Sequence, residues 1–176
     1  MHVIQQIAVT AESAEEAMAS VKNTFDEQYS ESEGLGGWSD WYVVGGGRWN
    51  SNPSNQYNDS SNDIISYGDN PELFNSTLQK FLEYRREEAT RLAKEANLDN
   101  FSEAVDKFCT GEFTDTDRFD MNIYYVKKLA ELLNGQWNSD SSFYDLTNYS
   151  TSPKYMLDSI DNGNKTWYLV PVDFHF

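Results

Sequence analysis

The chain has 176 residues, 39% of them hydrophobic and 15% aromatic, which is enough for one domain with a core built on Trp, Tyr and Phe more than on aliphatic side chains. Its 29 acidic residues against 13 basic ones give a formal charge of −16, which excludes attraction to free nucleic acid or anionic membranes and leaves basic surfaces as macromolecular partners. The single cysteine, Cys109, excludes an intramolecular disulfide and fits a reducing cytoplasm.

The first residues show no charged-then-apolar signal pattern, and no run approaches the roughly 18 apolar residues of a membrane span. His2 to Val9 predicts a strand, with Val3, Ile7 and Val9 on one face and Ile4 and Ala8 on the other, so both faces are expected to be covered. Ser13 with Glu16 three residues on is a capping box, and Ala14, Ala17, Met18, Val21 and Phe25 form the apolar stripe of the helix it opens.

After a polar, glycine-ended connection comes the most concentrated segment of the chain, Trp38-Ser-Asp-Trp-Tyr-Val-Val-Gly-Gly-Gly-Arg-Trp49. Trp41 to Val44 reads as a short buried strand. Gly45, Gly46 and Gly47 then free the backbone to turn or to approach another group closely. Arg48 is the one cation in a long acidic stretch. With Trp38, Trp41 and Trp49 it has the composition of a clamp for a flat or phosphorylated ligand, or equally of a strand end whose aromatic rings fill a small core.

Asn50 to Tyr67 is almost wholly Asn, Ser, Asp, Pro and Tyr and reads as a long polar loop, either a lid beside the Gly-Gly-Gly-Arg-Trp segment or a surface insertion. Asn70-Pro71 marks a helix start, and an apolar face runs from Leu73 to Ala96. The Arg and Lys residues on that helix are interleaved with Glu at helical spacings, which predicts a salt-bridged, solvated face. A short helix over Phe101 to Phe108 follows Asn100, with Cys109 at helical spacing from Val105, expected as a small core residue and not a nucleophile. The acidic run from Thr110 to Asp120 lacks the glycine and terminal glutamate of a calcium loop. Met121 to Leu133 is a further helix, stopped by Asn134-Gly135. Ser142 to Tyr149 reads as a strand, and Ser152-Pro153 opens a helical turn reaching Ile160. The last strand, Thr166 to Phe176, alternates, and Pro171 within it favours a sheet edge.

The order strand, helix, strand, helical middle, strand, short helix, strand predicts an α+β fold: a ferredoxin-like split β-α-β sheet with a helical insertion. The chain is read as a single domain over 1–176, with the polar loop at 50–67 and the insertion at 70–135. In that topology the first and last strands are antiparallel neighbours, which brings His2 near Asp173 and His175. Two imidazoles and a carboxylate are a candidate metal or acid–base set; the alternative is polar residues at strand ends.

The Trp-Ser-Asp-Trp-Tyr-Val-Val-Gly-Gly-Gly-Arg-Trp stretch resembles the W-D-W-Y/W-x-I-G-G-R-W signature of a group of bacteriophage proteins that also begin with a His-bearing strand and end in a strand resembling V-D-C-H-I. Here the ends read Met-His2-Val-Ile and Val172-Asp-Phe-His-Phe176. The chain departs from the group in its third glycine and in Phe174, where the group usually has cysteine. The resemblance implies an accessory protein acting in the host cytoplasm, in host takeover or anti-defence. The group carries no assigned reaction, so it transfers no catalytic residue.

Phosphate-loop, dinucleotide-binding, zinc-protease and nucleophile-elbow motifs are all absent from the sequence. Three readings follow. The first is an acidic, non-catalytic protein that binds and blocks a host protein with a basic surface, by DNA mimicry where that partner handles nucleic acid. The second is a binder of a small phosphorylated or nucleotide ligand through Trp38, Trp41, Gly45–Gly47, Arg48 and Trp49. The third is a metal-dependent hydrolase using His2, Asp173 and His175. No cofactor is expected.

Overall fold

The computed structural model describes residues 1–31, 39–154, 156 and 166–175. Trp38 and most of the predicted turn after Pro153 lie outside them. The described residues form a mixed α/β chain with five strands and four helices, compatible with the α+β class. The elements are β1 (His2–Ala11), α1 (Ala14–Glu31), β2 (Trp41–Val44), β3 (Ile65–Ser66), α2 (Pro71–Glu95), α3 (Leu98–Thr110), α4 (Met121–Asn134), β4 (Phe143–Asp145) and β5 (Thr166–His175). Among the described residues no helix is long and apolar enough to cross a membrane.

The chain divides into two compact units, Met1–Leu82 with Trp137–Phe176, and Glu83–Gln136. The first holds the sheet, in the order β2-β5-β1-β4, with β3 also paired to β5. β5 runs antiparallel to both β1 and β2, so β1-α1-β2 is a split unit with β5 between its two parallel strands. β4 runs parallel to β1, which makes the sheet mixed.

The alternation of β1 and β5 places two hydrophobic sets on opposite faces. Ile7, Val9, Val170, Val172 and Phe174 pack under Ala17, Val21 and Phe25 of α1. Ala8, Trp167 and Leu169 pack with Ile65, Phe143, Met156 and the first turns of α2 through Phe74 and Leu78. Both faces are therefore covered, as the sequence pattern predicts. The α1 start is capped by Ser13 Oγ, which accepts from Glu16 N at 3.2 Å, while Glu16 reaches back to Glu12 N at 3.0 Å. Asn70 Oδ1 caps α2 through Leu73 N.

Four sequence expectations are corrected. β5 is not an edge strand but lies between β1 and β2, and Pro171 sits there without harm. Gln6, opposite Pro171, sends its N–H to Ser142 of the β4 side, so the Pro171 nitrogen faces away from β1. On that far side the pairing passes from β2 (partners 172–175) to β3 (partners 168–169), and no ladder hydrogen bond is demanded of residue 171. β2 is the edge, and it is not buried: Trp41 and Val43 are 43% and 38% exposed.

The segment from Asn50 is a loop up to Ile64, as the sequence predicts, and it is tied to the glycine turn. Its amide side chains replace the missing apolar contacts: Asn50 Nδ2 donates to Gly45 O (2.8 Å), Asn55 Nδ2 to Gly47 O (3.0 Å) and Asn62 Nδ2 to Trp49 O (3.2 Å). Its end, Ile65–Ser66, is β3. The strand expected from Ser142 to Tyr149 stops at Asp145, because the buried Asp145 carboxylate accepts from Thr147 N, Asn148 N and Asn148 Nδ2 and turns the chain back.

In the helical unit, α3 starts at Leu98, capped by Asn97, and both α3 and α4 end on left-handed glycines, Gly111 and Gly135. Neither helix has a buried residue, and Cys109 is exposed, contrary to the core role its spacing suggests. The acidic run serves turns and caps. Asp120 caps α4, and Asp117 accepts from Thr114 Oγ1, Thr114 N and Lys107 Nζ.

Gly46 has φ +76°, and a Cβ there would stand 2.5 Å from Asn62 O, whereas one at Gly45 (φ +88°) would meet only the flexible Met18 side chain at 3.4 Å. Gly45→Ala is expected to cost about 1 kcal/mol for the backbone conformation alone, and Gly46→Ala clearly more. Urea denaturation of both variants measures the difference, and equal losses would contradict the close approach. Hydrogen bonds from Thr114, aided by Lys107, lower the Asp117 carboxyl to about 2. Its contribution to stability is then complete above its unfolded value of about 3.9 and is lost as the pH falls toward 2. Carboxyl NMR titration should find that low midpoint in the wild type and a higher one in Thr114→Val.

Candidate functional site

The register of β5 with its two neighbours builds the site. His175 stands opposite His2 of β1 and opposite Trp41 of β2, so three rings line up across three strands on one face of the sheet. Trp41 stacks on His175 with ring centroids 4.9 Å apart, and His2 meets both edge-on at 5.5 and 4.9 Å. Two residues back along β5, Asp173 lies on the same face with its side chain only 2% exposed.

The glycines then fold the chain back over this row. Gly45, Gly46 and Gly47 all take positive φ, and the N–H groups of Gly45 and Gly46 both donate to Pro171 O. The turn delivers Trp49 onto Asp173, its indole Nε1 donating to Oδ2 at 3.0 Å. Arg48, next to it, is exposed; its Nη2 lies 2.6 Å from His2 Nε2. The guanidinium also lies over the rings of Trp49 and Tyr57, 5.1 and 5.7 Å from their centroids, and those two rings stack on each other at 3.9 Å.

These contacts select the tautomer of a neutral His2 ring. A guanidinium only donates hydrogen bonds, so His2 Nε2 must be the acceptor. The proton of the neutral ring then resides on Nδ1, which donates to Asp173 Oδ1 at 2.9 Å. The result is a chain in which Arg48 donates to His2 and His2 donates to Asp173, with Trp49 as a second donor to the carboxylate. A buried carboxylate with no such donors would cost several kcal/mol, on the order of the penalty for one unpaired ion. Here two neutral N–H groups satisfy it, and the balancing positive charge sits one imidazole away.

The structure thus brings together Trp41, Gly45–Gly47, Arg48 and Trp49 with His2, Asp173 and His175. It adds Tyr57, which the sequence did not single out because one aromatic residue in a polar loop carries no periodic signal. Both nitrogens of His2 are engaged, and among the described residues no group of three His, Cys, Asp or Glu is disposed to hold an ion. His175 Nδ1 makes no hydrogen bond, and Asp40 Oδ2 lies 3.5 Å from it. The same engagement limits His2 as a general base, since its lone pair is free only when Arg48 leaves.

A surface hollow of about 510 Å³ runs along β2, lined by Lys22, Asp26, Asp40 and Trp41 to Val44. Lys22 forms an ion pair with Asp26 there, which leaves that hollow acidic on balance. Arg48 differs: among the described residues no carboxylate pairs with it.

No protein-family model matches the chain, and neither a curated protein nor a solved structure matches it.

The tautomer is directly testable. Long-range proton–nitrogen correlation should show His2 with a protonated Nδ1 and an unprotonated Nε2. In Arg48→Met, which removes the donor, the ring should gain the Nε2–H form. A wild-type ring with its proton on Nε2 would rule out the Arg48–His2–Asp173 chain.

Proposed function

We propose that the protein is a non-catalytic binding protein whose contact point is Arg48 with the aromatic row beside it, and that its ligand carries phosphate. One observation carries this reading: in a chain of charge −16, the exposed Arg48 guanidinium is held by a neutral imidazole and two aromatic rings and by no carboxylate among the described residues. Only one of its five N–H groups is committed to His2, and the remaining ones suit the fork geometry of a phosphate. Trp41, 43% exposed, stands in the same row and offers a surface for a base to stack on. The resemblance of the Trp38–Trp49 segment to bacteriophage proteins supports an accessory role in a host cytoplasm. The split arrangement of β1, α1 and β2 around β5 supports a ferredoxin-like reading of the sheet.

A second reading rests on the charge of −16 alone: binding to and blocking a host protein with a basic surface, in the manner of a DNA mimic. The hydrolase reading requires Arg48 to leave the lone pair of His2 Nε2, which it meets here.

Calorimetry and NMR titration with pyrophosphate and with nucleoside mono- and triphosphates test the first reading. Arg48→Ala should weaken binding by about ten- to hundred-fold, the equivalent of about 1.5–3 kcal/mol for a charge-assisted hydrogen bond, while the unfolding midpoint stays within about 1 kcal/mol of wild type. An Arg48→Ala protein that unfolds, or a wild type that binds none of these anions, sinks it. The blocking reading is separated by capture of a nucleic-acid-handling protein from bacterial lysate that moderate salt releases and duplex DNA displaces.

A further inference from the structure

The helical unit, Glu83–Gln136, leaves a seam uncovered. Only Leu92 is buried in it, so it has little hydrophobic core of its own. On α3, Leu98, Val105 and Phe108 are 73%, 44% and 71% exposed, and Phe101 is partly buried. These four residues fall at i, i+3, i+7 and i+10, a single apolar stripe about 15 Å long. α4 packs beside α3 but leaves the stripe open. The alternation of three and four residues is the spacing of a helix–helix seam, in which the side chains of one helix fill the gaps of another. Scattered exposed apolar residues are ordinary, whereas a contiguous stripe marks a contact surface.

The charge around the stripe selects what faces it. Residues 97–120 hold seven acidic side chains and two basic ones. Both cations are already engaged: Lys107 lies 3.2 Å from Asp117 and 3.9 Å from Glu103, and Arg118 lies 3.6 Å from Asp115. Asp99 and Asp106 have no cation among the described residues. Each follows a stripe residue in sequence, and they repeat at i and i+7 along one side of the stripe. A second copy of this stripe, or an anionic membrane, would set acid against acid. A helix with an apolar stripe and basic flanks is the complement in both shape and charge.

We infer that α3 is a docking seam for a basic amphipathic helix of a partner protein, whose apolar side chains pack on Leu98, Phe101, Val105 and Phe108 and whose Lys or Arg residues meet Asp99 and Asp106. The inference does not rest on the phosphate contact at Arg48. It gives a face to the blocking reading, which otherwise has net charge alone.

The probe is a synthetic peptide of Leu and Lys with Leu at the same three-and-four spacing. Its references are a scrambled peptide of the same composition and an ordered peptide with Glu for every Lys. Circular dichroism should show helix gained when the ordered basic peptide meets the protein, and amide shifts should fall on Leu98, Val105 and Phe108. Both references should bind at least about tenfold more weakly. Phe108→Ser and Leu98→Ser, at exposed positions, should each weaken the ordered basic peptide about tenfold without moving the unfolding midpoint. Arg48→Ala should leave it unchanged. Equal binding of the scrambled peptide would reduce the effect to the general charge of −16 and overturn the inference. Shifts confined to other elements, or binding untouched by either serine variant, would overturn it as well. A wild-type dimer in sedimentation that Phe108→Ser dissolves would give the stripe to a second copy instead. Should one serine variant fail to fold, the other decides.

Discussion

One buried carboxylate holds the sheet end together. Asp173 sits between β1 and β2 on β5, beneath the glycine turn, with its side chain only 2% exposed. It therefore needs donors from the protein, and the two it has come from opposite directions: Trp49 from above, His2 from the neighbouring strand. Each donor is in turn committed. Trp49 is stacked on Tyr57, and His2 is locked into one tautomer by Arg48. The glycine turn makes this geometry reachable, since Gly45, Gly46 and Gly47 all take positive φ and a Cβ on Gly46 would stand 2.5 Å from Asn62 O. The contact proposed at Arg48 is thus an outgrowth of a structural need. The residue that can face a ligand is also the last link in satisfying a buried acid.

The other constraint lies on the outer edge of β5. Two short strands share that edge, and Pro171 marks the place where one gives way to the other. Proline is usually read as excluding a central position. Here it is central because the hydrogen bond it cannot donate would point into the junction, while its carbonyl still anchors the glycine turn through two N–H groups. The same residue both ends one ladder and starts the turn that builds the site.

Much of this was legible in the sequence. The alternation of Thr166 to His175, the capping box at Ser13 and Glu16, and the Asn70-Pro71 start all follow local rules, and local rules hold where neighbouring residues decide the outcome. The meeting of His2 with Asp173 and His175 followed from topology, because an antiparallel first and last strand leave a single register for those ends. What escaped the sequence is set by distant partners. The place of Pro171, the order in the Asn- and Ser-rich segment and the exposure of Cys109 depend on which surfaces other elements present. Asn50, Asn55 and Asn62 each look like loop residues, and only their backbone acceptors, up to thirteen positions away, make them structural. The role proposed for Arg48 was half legible. Its isolation among acidic residues pointed to an anion, but the neutral imidazole that keeps it unpaired with carboxylate needed the fold.

The strand order has a consequence for the chain as it emerges from the ribosome. β1 precedes every other strand of the sheet, yet both of its strand partners, β4 and β5, lie in the last third of the given sequence. Until those strands are made its apolar residues have only α1, and later Ile65 and the first turns of α2, to lean on, and its backbone groups lack their ladder partners. Closing so long a loop is entropically slow and leaves an exposed strand open to wrong partners. Gln5 and Gln6 at its centre, buried in the finished sheet, keep the nascent strand from being wholly apolar during that wait. The Asp173 network can form only after β5 arrives, so the Arg48 contact is among the last features of the molecule to mature.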